Sequence, residues 1–308
     1  MKNSTMKTIK YLLIICILMA SSLSYAQQEM LYTQYMFNEL AINPAYAGNH
    51  DALSLTCLAR KQWIGLNGSP STYTFTGDMP VMNKKVGIGL VIFNDRIGVT
   101  STFQSNIAYS YKIRIRDQRI SFGLQASVLN LNQFYNQLDN VNSQDPSFHE
   151  NLHRTMINVG AGFFYEADRY YIGLSVPQLV KNYYEPDNQS SEKQLRQYFV
   201  TGGYVFYLNR DLKFKPTVLC RYTDDLPAQF DFNASLLYHE KIWMGLSYRT
   251  NKSMNLMLEF LLSDKLRLGW AYDFVVSEIH KVTSGSAEIM INYNFRKTKK
   301  RIFSPRYF

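Results

Sequence analysis

The chain has 308 residues, a formal charge of +9, 19% charged and 46% hydrophobic residues, and a large aromatic share of 23 Tyr and 19 Phe. The positive excess is spread along the chain instead of gathering in a basic helix or a phosphate-tracking stripe, which excludes nucleic-acid binding. No apolar run is long and uncharged enough to cross a bilayer as a helix, which takes roughly 20 residues.

In chain order, residues 1–26 read as a secretory signal peptide. Lys2, Lys7 and Lys10 form a basic n-region, Tyr11 to Ala20 an apolar h-region, and Ser24-Tyr25-Ala26 a small-x-small cleavage site. Cys16 follows Ile15 and not a small residue, so it does not read as a lipid-attachment cysteine. Cleavage after Ala26 removes three lysines and no acids, lowering the formal charge from +9 to +6.

Residues 27–50 combine Met30, Tyr32, Tyr35, Phe37 and Leu40 with a turn, Asn43-Pro44-Ala45-Tyr46-Ala47-Gly48-Asn49. A disordered leader is poor in such residues. The segment is therefore expected to pack on a defined surface, either the interior of a barrel as a plug or a periplasmic partner. Burying one large apolar side chain is worth about 1.5–3 kcal/mol, enough for a cluster of them to dock.

From Ala52 to Phe295 the sequence alternates polar and apolar residues one by one in about fourteen segments. Leu266, Leu268, Trp270, Tyr272 and Phe274 alternate with Lys265, Arg267, Gly269, Ala271 and Asp273. Ala287, Ile289, Ile291, Tyr293 and Phe295 do the same against Ser286, Glu288, Met290, Asn292 and Asn294. A period of two is a strand signal. Nothing helical separates the strands to cover the apolar, aromatic face, so that face is assigned to lipid and the sheet must close. The fold class is all-β: a transmembrane outer-membrane β-barrel of about 14 antiparallel strands, with an N-terminal periplasmic or plug segment.

Strands are predicted near 52–62, 70–78, 85–93, 100–115, 118–130, 155–166, 169–177, 197–207, 211–222, 229–239, 241–250, 253–263, 265–274 and 285–295. Connections after strands 2, 4, 6, 8, 10 and 12 are short, such as Ala167-Asp168, whereas those after strands 5, 7 and 13 are long. Short periplasmic turns and long outside loops are the outer-membrane pattern, which puts both chain ends in the periplasm. A soluble β-sandwich or propeller also has many short strands. The loop parity, the aromatics near strand ends and the lack of a repeat at propeller spacing favour the barrel. The divisions are 1–26 signal peptide, 27–50 plug or partner segment, 51–296 barrel and 297–308 tail, whose Lys297 to Arg301 run reads as solvated.

Cys57 shares a face with Leu53 and Leu55, and Cys220 with Phe214 and Val218. Both point outward, so they cannot approach to disulfide distance. Pro216 interrupts the ninth strand, where proline needs an edge or a bulge. The third strand, Val86 to Phe93, is apolar on both faces with Gly87 and Gly89 inward, as where something packs from inside or where the barrel is irregular. Inward by alternation are Arg60, Lys112, Arg114, Lys213, Lys215, Arg221, Arg249, Lys265 and Arg267, against Asp78, Asp231, Glu259, Asp273 and Glu288. Pairing across neighbouring strands accounts for them. A polar conduit, or a socket for a peptide of complementary charge, is the functional alternative.

His149-Glu150-Asn151-Leu152-His153 matches the HExxH pattern of zinc metalloproteases. That chemistry needs a helix to bring both imidazoles to one face and a third ligand downstream. Here the motif lies at the end of an Asn, Asp and Gln-rich loop before a strand, so it reads as solvated loop. No G-x-S-x-G elbow, phosphate-binding glycine loop or Cys-x-x-Cys is present. No catalytic residue, metal or cofactor is therefore assigned.

Tyr32-Thr33-Gln34-Tyr35-Met36-Phe37-Asn38, Asn43-Pro44-Ala45-Tyr46-Ala47-Gly48, Arg60-Lys61-Gln62-Trp63, Ser69-Pro70-Ser71-Thr72 and the end Ser304-Pro305-Arg306-Tyr307-Phe308 resemble the PorP/SprF family. The resemblance spans the chain after the signal and implies an outer-membrane barrel of the type IX secretion and gliding-motility machinery of Bacteroidetes, with no catalytic residues. It implies two roles: membership of the core apparatus, in contact with periplasmic subunits, or support for export and cell-surface attachment of an adhesin-like partner through that partner's C-terminal domain. The candidate partner-binding residues are Tyr35, Phe37, Asn43, Pro44, Tyr46, Gly48, Arg60, Gln62 and Trp63, with outer-membrane lipid as the other contact. A passive or substrate-specific porin for small solutes is the alternative function.

Overall fold

The computed structural model describes residues 32–50, 52–137, 151–183, 194–250, 253–276 and 278–295. Residues 1–26, read from the sequence as a signal peptide, and His149, Glu150 and residues 297–308 lie outside the described residues. The strands are β1 (Ser54–Lys61), β2 (Ser71–Val81), β3 (Val86–Ile97), β4 (Thr100–Ile115), β5 (Gln118–Gln133), β6 (Leu152–Glu166), β7 (Tyr170–Val176), β8 (Gln197–Tyr204) and β9 (Phe206–Tyr207). They continue as β10 (Leu212–Thr223), β11 (Gln229–Tyr238), β12 (Ile242–Arg249), β13 (Ser253–Leu261), β14 (Leu266–Val275) and β15 (Ser286–Asn294).

Successive strands pair antiparallel, β10 pairs with β11, and β1 pairs with both β2 and β15, so the sheet closes on itself. β8 and β9 both pair with β10, with Gly203 opposite Thr217 and Phe206 opposite Phe214. They are one strand interrupted at Val205, and the barrel has fourteen strands. Pro216 of β10 lies between those two pairs and has no N–H to give to its neighbour. On the β7 side the ladder continues through the gap, the Val205 N–H donating to the Arg169 carbonyl at 2.7 Å. Proline flagged in one strand thus appears as a break in the strand beside it.

Closure removes every sheet edge and satisfies the backbone, as a lipid-facing wall requires. The burial pattern is inverted relative to a soluble fold. Ile107, Leu124, Ile157 and Leu246 point outward at 64–67% exposure, while Ser110, Ser121, Asn158 and Asn233 on the inner face are buried. Outward orientation holds for both cysteines, which are free, Cys57 exposed and Cys220 half-buried.

Loop lengths sort by end. One end carries the short turns 82–85, 116–117, 167–169, 208–211, 239–241 and 262–265, and the other carries 62–70, 134–151, 177–196, 224–228 and 276–285 besides two tight turns. Non-glycine residues with positive φ close several short turns, including Arg116 at 54°, His239 at 47° and Glu240 at 56°. Left-handed residues match the twist of the strands they join. One boundary differs from the sequence reading in a way that matters: β6 begins at Leu152 and not near 155, so His153 belongs to a strand.

Candidate functional site

The residues that fill the barrel come from the chain itself. Tyr32–Asn49 runs along the inside of the wall as three single-turn 3-10 helices, Tyr35–Phe37, Glu39–Ala41 and Pro44–Tyr46. The Asn-Pro-Ala-Tyr-Ala-Gly sequence explains the last of them. The Asn43 side chain accepts the Ala45 N–H at 3.0 Å, and Pro44 starts the turn with its φ already set. Gly48, at φ +63°, turns the chain where a Cβ would lie 2.6 Å from the Gly87 Cα.

Inward glycines of the wall receive this segment. A Cβ on Gly87 would overlap the Ala47 carbonyl, one on Gly123 the backbone of Pro44 and Ala45, and one on Gly162 the Asn43 side chain. Glycine in a strand marks close backbone approach. Leu40, Ala45, Tyr46 and Ala47 bury against Val91, Ala108, Phe164 and Tyr171, with the Tyr46 and Phe164 rings edge to face at 5.4 Å. Along the way Ser175 donates to the Ile42 carbonyl at 2.6 Å, Asn43 to the Phe163 carbonyl at 3.1 Å and Thr76 to the Asn38 side chain at 2.9 Å.

Two charged clusters hold the ends. Toward the long-loop end of β1, β14 and β15, the Arg60 guanidinium bridges Glu288 and Asp273, at 2.7 Å for Asp273. The Thr33 N–H donates to Glu288 at 2.7 Å, the Thr33 hydroxyl to Asp273 at 2.6 Å, and the Gln34 N–H to Glu288 at 3.1 Å. Tyr32 adds a hydroxyl contact to Thr74 at 2.6 Å. At the short-turn end, Lys112 donates to the Gly48 carbonyl and Arg119 to Asn49, while Arg119 pairs with Glu166 at 2.6 Å. His50 meets Asp78 at 3.0 Å. Between the clusters the Glu39 side chain is buried inside the barrel.

Of the nine sequence-derived candidates, Tyr35, Asn43, Pro44, Tyr46, Gly48 and Arg60 are buried. The segment and the wall cover one another at these positions. Phe37 is half-buried beside Trp243, ring centroids 6.3 Å apart. Gln62 and Trp63 are half-buried in the long-loop connection after β1, where the Trp63 N–H donates to Ser286 at 3.3 Å. Arg60 donates to the Thr33 hydroxyl at 3.1 Å and shares Glu288 with the Gln34 N–H.

Sequence reasoning missed Thr33, Gln34, Asn49, Arg119 and Glu166 as anchoring residues. The inward glycines of β5 to β7, Gly123, Gly162 and Gly173, mark where Asn43 to Ala45 lie and give no signal for these anchors. Arg114 is exposed at the tip of the β4–β5 hairpin and Lys265 sits in a turn, so neither lines the lumen. Pairing across neighbouring strands holds for Arg249 with Asp231 at 2.8 Å and Arg267 with Glu259 at 3.5 Å. His153 of the HExxH sequence meets Asn132 on the adjacent strand at 2.7 Å. Among the described residues no group of three or more His, Cys, Asp or Glu side chains is placed to hold a metal ion.

A closed fourteen-strand wall with an apolar exterior and a polar, chain-filled interior defines an outer-membrane β-barrel protein. Residues 24–293 match the family described as type IX secretion system membrane protein PorP/SprF, and the chain belongs to that family. Among solved structures it is similar to the CymD monoaromatic hydrocarbon channel, with TM-score 0.52, 10% identity, and coverage of 89% of this chain and 95% of that one. A weaker likeness is to Acinetobacter baumannii Omp33, with TM-score 0.47, 8% identity, and coverage of 80% and 100%. At such identity the likeness to CymD shows the barrel fold alone. No curated protein matches the chain in sequence.

Proposed function

We propose that this protein is a non-enzymatic outer-membrane component of type IX secretion that acts by binding proteins at its two faces. Its partner is a secreted adhesin-like protein, held through that protein's C-terminal domain, or a subunit of the core machinery. The observation that carries this reading is the inner segment. A lumen crossed by Tyr32–Asn49, tied at both ends by hydrogen bonds to charged side chains of the wall, leaves the loops and turns as the surfaces available for work. In this reading the short turns face the periplasm, the long loops face outside, the signal peptide is removed after Ala26, and Gln62 and Trp63 belong to the outer docking surface.

The porin alternative requires an open lumen, and the same segment counts against it. A tag on this chain, used to recover complexes from outer membranes in mild detergent, tests both readings. A secreted protein bearing a C-terminal export domain, or a periplasmic machinery subunit, is expected to co-purify. A barrel that is recovered alone and conducts ions in planar bilayers would replace this reading with the porin.

A further inference from the structure

β4 and β5 run past their neighbour at the short-turn end. The β3 pairing starts at Val86 opposite Tyr111, so residues 112–119 project as a hairpin beside the 82–85 turn, joined to it by the Lys112 N–H on the Lys85 carbonyl at 2.8 Å. Between hairpin and turn lies a cavity of about 370 Å³. Among the described residues, five of the eight that line it are cations, Lys84, Lys85, Lys112, Arg114 and Arg119, and none is an acid.

Two of these cations form the floor. Lys112 and Arg119 are each 5% exposed and meet the Gly48 carbonyl, Asn49 and Glu166 as described above. The Arg119 Nε is buried without a hydrogen-bond partner. Glu166 pairs with Arg119 of this floor, and three exposed cations, Lys84, Lys85 and Arg114, stand at the mouth. Like charges gathered at a rim raise one another's energy, and an anion between them reverses the sign of that term.

The outer wall says which anion reaches it. Tyr111, Ile113 and Ile115 face outward at 48%, 42% and 52% exposure, so the apolar band continues down the same hairpin to its tip. The cavity therefore opens at the border of that band, the depth at which lipid phosphates lie. Basic pockets at this level hold anionic headgroups.

We propose that this cavity is a binding site for a phosphate-bearing anion, supplied by an anionic phospholipid of the leaflet at the short-turn end. The headgroup phosphate sits among Lys84, Lys85 and Arg114, and its acyl chains lie along Ile113 and Ile115. Bound there, it stands behind the two side chains that hold the end of the inner segment. The site rests on the barrel lying in a membrane and not on any export role.

The test uses the full-length barrel purified in detergent. Native mass spectrometry measures retention of phosphatidylglycerol, of phosphatidylcholine, and of inorganic phosphate alone, for the wild type and for the triple variant Lys84→Gln, Lys85→Gln, Arg114→Gln. Lys112 and Arg119 are left in place to preserve the wall, and heat-modifiable migration verifies folding. The wild type is expected to retain phosphatidylglycerol about tenfold better than phosphatidylcholine, with that preference lost in the variant. Added salt should release the lipid from the wild type, a readout that needs no variant. Binding of inorganic phosphate without lipid preference would support the phosphate site and overturn the lipid source. Equal retention of both lipids without phosphate binding, or equal phosphatidylglycerol retention by wild type and variant, would overturn the proposal and leave the cations to an acidic protein segment.

Discussion

Replacing Arg60 with Gln isolates the anchor at the long-loop end of the inner segment. The Arg60 side chain is 3% exposed, and its partners Asp273 and Glu288 are 5% and 0% exposed. Without the guanidinium, Glu288 keeps the Thr33 and Gln34 N–H donors and Asp273 keeps the Thr33 hydroxyl, but two buried carboxylates lose their counter-charge. Breaking a buried pair by removing one partner costs about 3–5 kcal/mol. For a chain of this size that lowers the midpoint of unfolding by on the order of 10 °C. The assay is the temperature at which the folded, fast-migrating band converts to the unfolded one in detergent. Adding Asp273→Asn and Glu288→Gln removes the uncompensated charge while keeping polar groups in place, so the triple variant should recover most of the loss. A single variant within roughly 2 °C of wild type, or a triple variant no better than the single, would refute the anchor.

Gly123→Leu should push Pro44–Tyr46 off the wall, because the new side chain meets backbone that cannot rotate aside. The barrel should still insert and conductance in planar bilayers should rise, whereas Gly202→Ala, whose Cβ would lie 3.6 Å from the Tyr171 carbonyl, should behave as wild type. Equal conductance in the two variants would show that the segment does not limit passage. For orientation, Asn67→Cys and Asp225→Cys, made in a chain with Cys57 and Cys220 changed to Ala, should react with an impermeant maleimide on intact cells. Asp168→Cys and Asn209→Cys should react only once the outer membrane is opened, and the reverse pattern would invert the assignment of the two ends.

The sequence by itself determined the wall. A strand's side chains alternate with a period of two, so each segment carries its own record of which residues meet lipid and which meet the lumen. That record placed all fourteen strands, the outward cysteines and the parity of the loops, because none of these depends on what lies across the barrel. Gly87 and Gly89 left two readings open, something packed from inside or an irregular wall, and the structure places Leu40 and Ala47 against them.

Only the tertiary structure decided what that something is and how it is held. Thr33 and Arg60 are 27 positions apart, Asn49 and Arg119 are 70, and Arg60 and Glu288 are 228. No periodicity links such residues, and the same charges would serve equally as wall pairs, a conduit or a partner's socket. Tyr35, Asn43 and Tyr46 carried the family resemblance yet face inward, because an aromatic segment of this composition lowers its free energy on any apolar surface. Closure of the barrel around the segment is what made the inner wall that surface.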